Sequence, residues 1–323
     1  MGRKEKQISQ FFLRAFVFCA ILFVLDISIG ALLRYLYFKQ EFGFMHATTY
    51  AIDSTRADII VFGSSTANHH YSPQIFEKRM KSSLYNAGRD GSGIFYHYSI
   101  LLGMLKRYTP KIAIFDFDIG EFQKDQISYD RMSSLLPYYK SHPEIKQLID
   151  QRSSFEKFKL LSKIYPFNSL IFSIISKDLN LNREEEEAAN DNGFIPLQRY
   201  WKMPLTIDTT KTYNLDDKEI AIFKSFIKLC LNSHIKLYIV ISPRFEKRET
   251  EDLSVVIAKR ITNEYNMPIF NYLDDSSFLN DAGQFADKLH LNYIGAKKFS
   301  NKVADSILLD LTKEQKSKFH DKP

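Results

Sequence analysis

From Asp58 onward, short runs of β-branched and aromatic residues alternate with stretches of helical character, and that alternation leaves few folds open. The strand-like runs are residues 58–62, 83–86, 112–117, 235–241 and 268–270, each closed by Gly, Pro or a polar cluster. Helical stretches separate them at 73–81, 96–108, 218–232 and 249–265, and a last one spans 295–311. This pattern predicts an α/β fold, a five-stranded and mostly parallel sheet held between two helical layers. At 323 residues, 45% of them apolar, the chain can bury an ample core.

The alternation breaks once. Residues 125–217 carry no strand signal and are too many for a loop. Runs at 127–139 and 143–164 look helical, and an acidic, turn-rich piece at 184–191 ends in Asn192-Gly193. The expectation is a helical insertion at about 125–217 that caps one end of the sheet, with Glu184 to Glu187 a solvated surface segment.

Ahead of this domain, residues 15–33 are apolar apart from Asp26, Ser28 and Gly30, and aromatic residues follow Arg34. About 20 apolar residues cross a bilayer. Arg3, Lys4, Lys6 and Arg14 precede the run, so the positive-inside tendency keeps that end in the cytoplasm. The reading is a single-pass anchor in the inner (cytoplasmic) membrane, with the remaining chain extracytoplasmic. A cleaved signal peptide is the rival, but no small-x-small site ends the run. Nor does a lipobox precede Cys19, because Phe16-Val17-Phe18 is too bulky. Asp26 costs on the order of 3 kcal/mol at mid-membrane. It points either to another membrane protein or to a protonated carboxyl bonded to its own helix. The chain thus divides into an N-terminus and anchor (1–38), a linker (39–56), the α/β domain with its insertion (57–313) and a polar tail (314–323).

Charge excludes one function class. Lys and Arg exceed Asp and Glu by 44 to 38, a mild +6 that gathers near the two ends, with Lys313, Lys316, Lys318 and Lys322 at the second. No aromatic-basic groove or recognition helix accompanies it, so nucleic acid is not an expected partner. Cys19 and Cys230 lie in segments too different to pair, and only the adjacent His69 and His70 come close to ligand spacing. Neither a metal nor a cofactor is expected.

Three segments carry chemistry. Phe62-Gly63-Ser64-Ser65 ends the first strand and opens a helix, placing a hydroxyl where open α/β sheets bind ligands. Alone it fits a phosphate-cradling turn or a plain connection equally well. Tyr85-Asn86-Ala87-Gly88-Arg89-Asp90-Gly91-Ser92-Gly93 follows the second strand, and its glycines allow a main-chain N–H to approach a substrate oxygen. Asp287-Lys288-Leu289-His290-Leu291-Asn292 lies near the C-terminus, where an Asp three residues before a His can orient the imidazole as a base.

Together, in this order and at these strand ends, the segments resemble the SGNH (GDSL-like) hydrolase family. The resemblance covers roughly residues 57–311 without the insertion. It implies the flavodoxin-like SGNH hydrolase fold, with Ser65 as nucleophile and Asp287 and His290 completing a triad. It also implies an oxyanion hole from the N–H groups of Ser65 and Gly91. In one respect the sequence departs from the family: the Asn expected after the third strand is missing from Phe115-Asp116-Phe117-Asp118-Ile119-Gly120. Losing one oxyanion donor typically costs about 2.7–4 kcal/mol in the transition state. Asp118 either faces the pocket or has a structural role at a helix start. Arg244, at the same sheet edge, is a candidate for binding an anionic substrate, and His69 reads as a packing histidine or a pocket border.

The implied activity is that of a membrane-anchored serine esterase or acyltransferase acting on an envelope or exported glycan ester. The architecture is similar to that of envelope proteins that work beside a multi-span membrane acyltransferase. The alternatives are a catalytically weak glycan-binding or scaffold subunit of such a complex, which the missing Asn favours, and a flavodoxin-like phosphate binder, which would not need Asp287 and His290.

Overall fold

The computed structural model describes residues 2–178, 192–209 and 214–320. These fall into two compact units, residues 2–41 with 133–178, and residues 42–132 with 192–209 and 214–320.

The second unit contains the sheet. Its strands are β1 (Ile59–Gly63), β2 (Leu84–Asn86), β3 (Ile112–Asp116), β5 (Lys236–Ile241) and β7 (Ile269–Asn271), in the order β2-β1-β3-β5-β7. Every pairing is parallel: Ile60 faces Tyr85 and Ala113, Ala113 faces Leu237, and Val240 faces Phe270. The order reverses beside β1, which creates a crevice at the carboxyl ends of β1 and β3.

Alternating residues on each strand account for the two helical layers. Ile59, Val61, Ile112 and Ile114 share a core with Phe76, Phe299 and Val303. On the other face Phe62 and Phe115 pack against His97 and Phe226. All five residues of β1 and of β3 are buried, as a sheet covered on both sides requires.

Around the sheet lie α2 (Gly43–Asp53), α3 (Ser65–His70), α4 (Pro73–Met80), α5 (Ile94–Met104) and α6 (Gln126–Arg131). The α2 helix corrects the expected linker. Met45, Thr48 and Ile52 recur at helical spacing and are buried, and the Thr48 hydroxyl lies 2.9 Å from that of Tyr96 on α5. Interleaved His and Thr residues hide this pattern from a hydropathy reading.

The first unit is built on α1 (Arg3–Phe38), long and apolar enough to cross a membrane. Its C-terminal half buries one stripe: Asp26 is half-buried, while Gly30, Leu33 and Tyr37, at successive spacings of four, three and four, are buried. Before Asp26 nearly every side chain is exposed. The stripe meets short helical pieces within 133–178, ending in α7 (Ile171–Asp178). Where the sequence reads as long helices at 127–139 and 143–164, the chain makes short pieces of α- and 3-10 helix, none longer than seven residues. Pro137, Pro143 and Pro166 account for this, since proline lacks the N–H that a continuing helix needs. The expected insertion therefore divides: residues 133–178 belong with α1, while 126–131 and 192–209 belong with the sheet.

Two further differences concern the second half of the chain. Thr206–Asp208 forms β4 and pairs in parallel with β6 (Glu246–Arg248), in a region read as free of strands. Three mostly exposed residues are too few to leave a periodic signal. After α8 (Asp217–Asn232) and α9 (Leu253–Glu264), the last helix, α10, runs Tyr293–His320 across most of the expected polar tail. The acidic segment 184–191 lies outside the described residues.

Candidate active site

The first segment builds a tight strand-to-helix turn. Gly63 has φ 139°, and a Cβ there would stand 2.6 Å from the carbonyl oxygen of Asp116 on β3. Glycine is what lets β1 close on β3 here. Ser64 is then the N-cap and Ser65 the first residue of α3.

Ser65 Oγ lies 2.7 Å from Nε2 of His290, and His290 Nδ1 lies 2.9 and 3.1 Å from the two carboxylate oxygens of Asp287. The carboxylate fixes the tautomer: Nδ1 carries the proton and donates to Asp287, leaving Nε2 to accept from the serine hydroxyl. Asp287 Oδ1 also accepts the backbone N–H groups of Leu289 and His290, both at 2.9 Å, and Oδ2 accepts from Arg199 at 2.6 Å. Partial burial opposes the charge of Asp287. The bonds from His290 and the Leu289 N–H outweigh that and hold the carboxyl well below the usual carboxylate range.

Asn292 fixes the turn that follows. Its amide nitrogen donates to the carbonyls of Gly283 and Phe285, and its oxygen accepts the N–H groups of Ile294 and Gly295 as α10 begins.

The second segment is tied to the first. The Arg89 N–H donates to the Gly63 carbonyl at 3.0 Å, and Asn86 donates to the carbonyl of Ala67 at 2.7 Å. Asp90 accepts from Asn68 at 2.8 Å, and one of its oxygens lies 3.4 Å from His69 Nε2. Gly91 has φ 65°, a left-handed turn, and a Cβ on Gly88 would stand 2.6 Å from the Asn68 backbone nitrogen, so the second segment packs directly on α3.

His69 is buried with Nδ1 2.7 Å from the Ile195 carbonyl, and its ring stands 5.5 Å from that of His290. Burial works against its charge, but Asp90 and the Ile195 carbonyl push its pKa up, while Asp90 is pulled down to about 2. It links α3 to the second segment and borders His290 as well, so the two sequence readings both describe it in part.

Asp118 and Arg244 are joined to each other by an ion pair, and Arg244 also reaches Glu246 at 3.5 Å. Asp118 accepts the N–H of Ile119 besides. To take up a substrate, either group would have to leave this pair.

Two residues escaped the sequence reading. Arg131, on α6, brings its guanidinium to 3.1 Å from the point a Cβ on Gly91 would occupy. It lies 40 residues from Gly91 with no motif around it, so no local signal marks it. Asp116 is fully buried and accepts from Ser242 at 3.0 Å, and burial raises its carboxyl to about 7. Among the described residues no group of three His, Cys, Asp or Glu side chains is placed to hold a metal ion. Comparison of the sequence with protein-family models and with curated proteins finds no match to either.

Proposed function

We propose that this protein is a membrane-anchored serine esterase or acyltransferase of the SGNH type. The observation that carries the reading is the unbroken chain of hydrogen bonds from Ser65 through His290 to Asp287, made by residues 225 and 3 positions apart. A surface Asp-His pair has no reason to meet a serine at the switch point of a parallel sheet.

In the proposed reaction His290 Nε2 takes the Ser65 proton as Oγ attacks the ester carbonyl carbon. The N–H groups of Ser65 and Gly91 receive the oxyanion, and Arg131 adds positive charge beside Gly91 in place of the missing Asn. Collapse expels the alcohol, which takes its proton from His290 and leaves an acyl-Ser65 ester. Water, or a sugar hydroxyl, gives its proton to His290 and attacks that ester. The products are the free acid or a newly acylated glycan.

The α1 helix supports an anchored protein, and the basic residues before Ala15 support an extracytoplasmic active site. That orientation makes an envelope or exported glycan ester the natural substrate, with transfer assisted by a multi-span membrane protein. Asp26 no longer argues for that partner, because its carboxylate is engaged within the chain.

A second reading has one observation in its favour. Asp118 stands where the family places its oxyanion Asn and is bound to Arg244. A scaffold or glycan-binding subunit would tolerate that arrangement.

Hydrolysis of p-nitrophenyl acetate by the detergent-solubilised full chain separates the two. The esterase reading requires turnover that Ser65→Ala removes. Turnover indistinguishable between wild type and Ser65→Ala would leave the scaffold reading.

A further inference from the structure

Beside the buried stripe of α1, within the first unit, lies a cavity of about 240 Å³. Ile27, Leu160 and Phe167 are among its apolar lining, and Arg34, Lys140 and Lys163 stand on its wall. We propose that this cavity binds the phosphate headgroup of an anionic glycerophospholipid, with Arg34, Lys140 and Lys163 as its cationic ligands.

Four observations converge on that ligand. The first is charge. Three cations share one small cavity, and Asp26 is the carboxylate beside Lys163 and Lys140. Lys163 lies close enough to pull the Lys140 ammonium down to about 8. An anion among these three cations would relieve their repulsion.

The second is depth. Arg34 closes the apolar run of α1, and Asp26 sits eight residues below it, about 12 Å along the helix. Ser162 Oγ and the N–H groups of Lys163 and Ile164 donate to Asp26 at 2.5, 2.7 and 3.3 Å. A Cβ on Gly30 would meet the Lys163 backbone at 2.5 Å, so the two segments touch main chain to main chain. Residues 162–164 are therefore fixed against the C-terminal half of the apolar run, and the cavity extends from there to Arg34 at the run's end, the level of lipid phosphates.

The third is the surrounding surface. Phe155, Phe158, Leu161 and Phe172 are all exposed, Phe172 by 89%, on the same unit that carries the apolar helix. Acyl chains would cover them. The fourth is composition of the lining: apolar residues for the glycerol and upper chain, cations for the headgroup.

The proposal rests on α1 lying in a bilayer, which alkaline carbonate extraction of cells reports separately. The test is native mass spectrometry of the detergent-solubilised full chain with phosphatidylglycerol or phosphatidylcholine added. Phosphatidylglycerol should be retained at least five-fold better. Lys140→Gln/Lys163→Gln should reduce it to the phosphatidylcholine level, while the variant's thermal midpoint in neutral detergent stays equal or rises. Equal retention of the two lipids by the wild type would overturn the proposal, and so would undiminished retention by the variant. Displacement of the lipid by millimolar inorganic phosphate would also overturn it, making the cavity a site for soluble anions.

Discussion

The backbone N–H of Leu291 donates to Nε2 of His70 at 2.9 Å, so the residue after the candidate base is held by the helix that begins with the candidate nucleophile. Burial, then the nearby His290 and His69, push the His70 pKa well below its ordinary value, which keeps the ring neutral and able to accept. Ser300 strengthens the same junction by donating to the His70 carbonyl at 3.0 Å.

That bond makes His70 a positioning residue. His70→Leu would bury the Leu291 N–H without an acceptor, a loss of about 1–3 kcal/mol. The rate of acylation at Ser65 should fall roughly ten-fold or more as His290 loses its register. His70→Gln offers an amide oxygen to the same N–H and should recover most of the rate. Equal rates for the Leu variant and wild type would show that His290 is held by Asp287 alone.

Asp287 accepts from two side chains of unequal weight. His290 is within its bidentate reach, whereas the Arg199 side chain is 65% exposed. Solvent screening makes the Arg199 pair worth little. Arg199→Ala should change the esterase rate by less than about three-fold. Asp287→Asn should lower it by roughly 10²–10⁴ through loss of tautomer and orientation. Steady-state kinetics on one ester decides both.

Asp116 gives the fold a pH dependence of definite sign. Its folded-state pKa, about 7, lies above the unfolded value of 3.8, so the native state holds the extra proton. The stability from this group is complete below the unfolded pKa and is lost as pH rises through 7. Asp116→Asn removes that loss. Relative to wild type, it should gain on the order of 2 kcal/mol between pH 5 and pH 8, read by thermal unfolding of the detergent-solubilised chain. A difference that is flat with pH would mean that Asp116 is ionised in the folded protein.

The basic residues before Ala15 predict an extracytoplasmic domain, which thiol labelling tests. Asn263 is exposed on α9, and the native Cys230 is buried, so Asn263→Cys supplies a single accessible thiol outside the anchor. A membrane-impermeant maleimide should modify it before the inner membrane is lysed, after outer-membrane permeabilisation where one is present. Protection until lysis would place the active site in the cytoplasm.

The parallel sheet and the residues of the Ser65–His290–Asp287 cluster are legible in the sequence because each rests on a strong local signal. The strands are compact β-branched runs, and Asp287 to Asn292 and Gly63 to Ser65 keep their chemistry within a few residues. What was hidden depends on distance or on mixed patterns. The α2 helix alternates apolar residues with His and Thr, and the helical runs before Ile164 are cut by prolines whose effect on packing is not periodic. From the sequence, Asp26 points to another membrane protein or to a bond with its own helix. Its donors, Ser162, Lys163 and Ile164, lie 136–138 residues away, beyond any local pattern. The pairing of Asp118 with Arg244 spans 126 residues and could not be foreseen for the same reason.

The central claim is that Ser65 is activated by His290, and covalent labelling by a fluorophosphonate probes it most directly. The site of modification is read by peptide mass spectrometry on wild type, Ser65→Ala, Ser64→Ala and His290→Ala. Modification of wild type should fall on Ser65, persist in Ser64→Ala, and disappear in both Ser65→Ala and His290→Ala. Adducts on Ser64, or undiminished labelling of His290→Ala, would contradict the account.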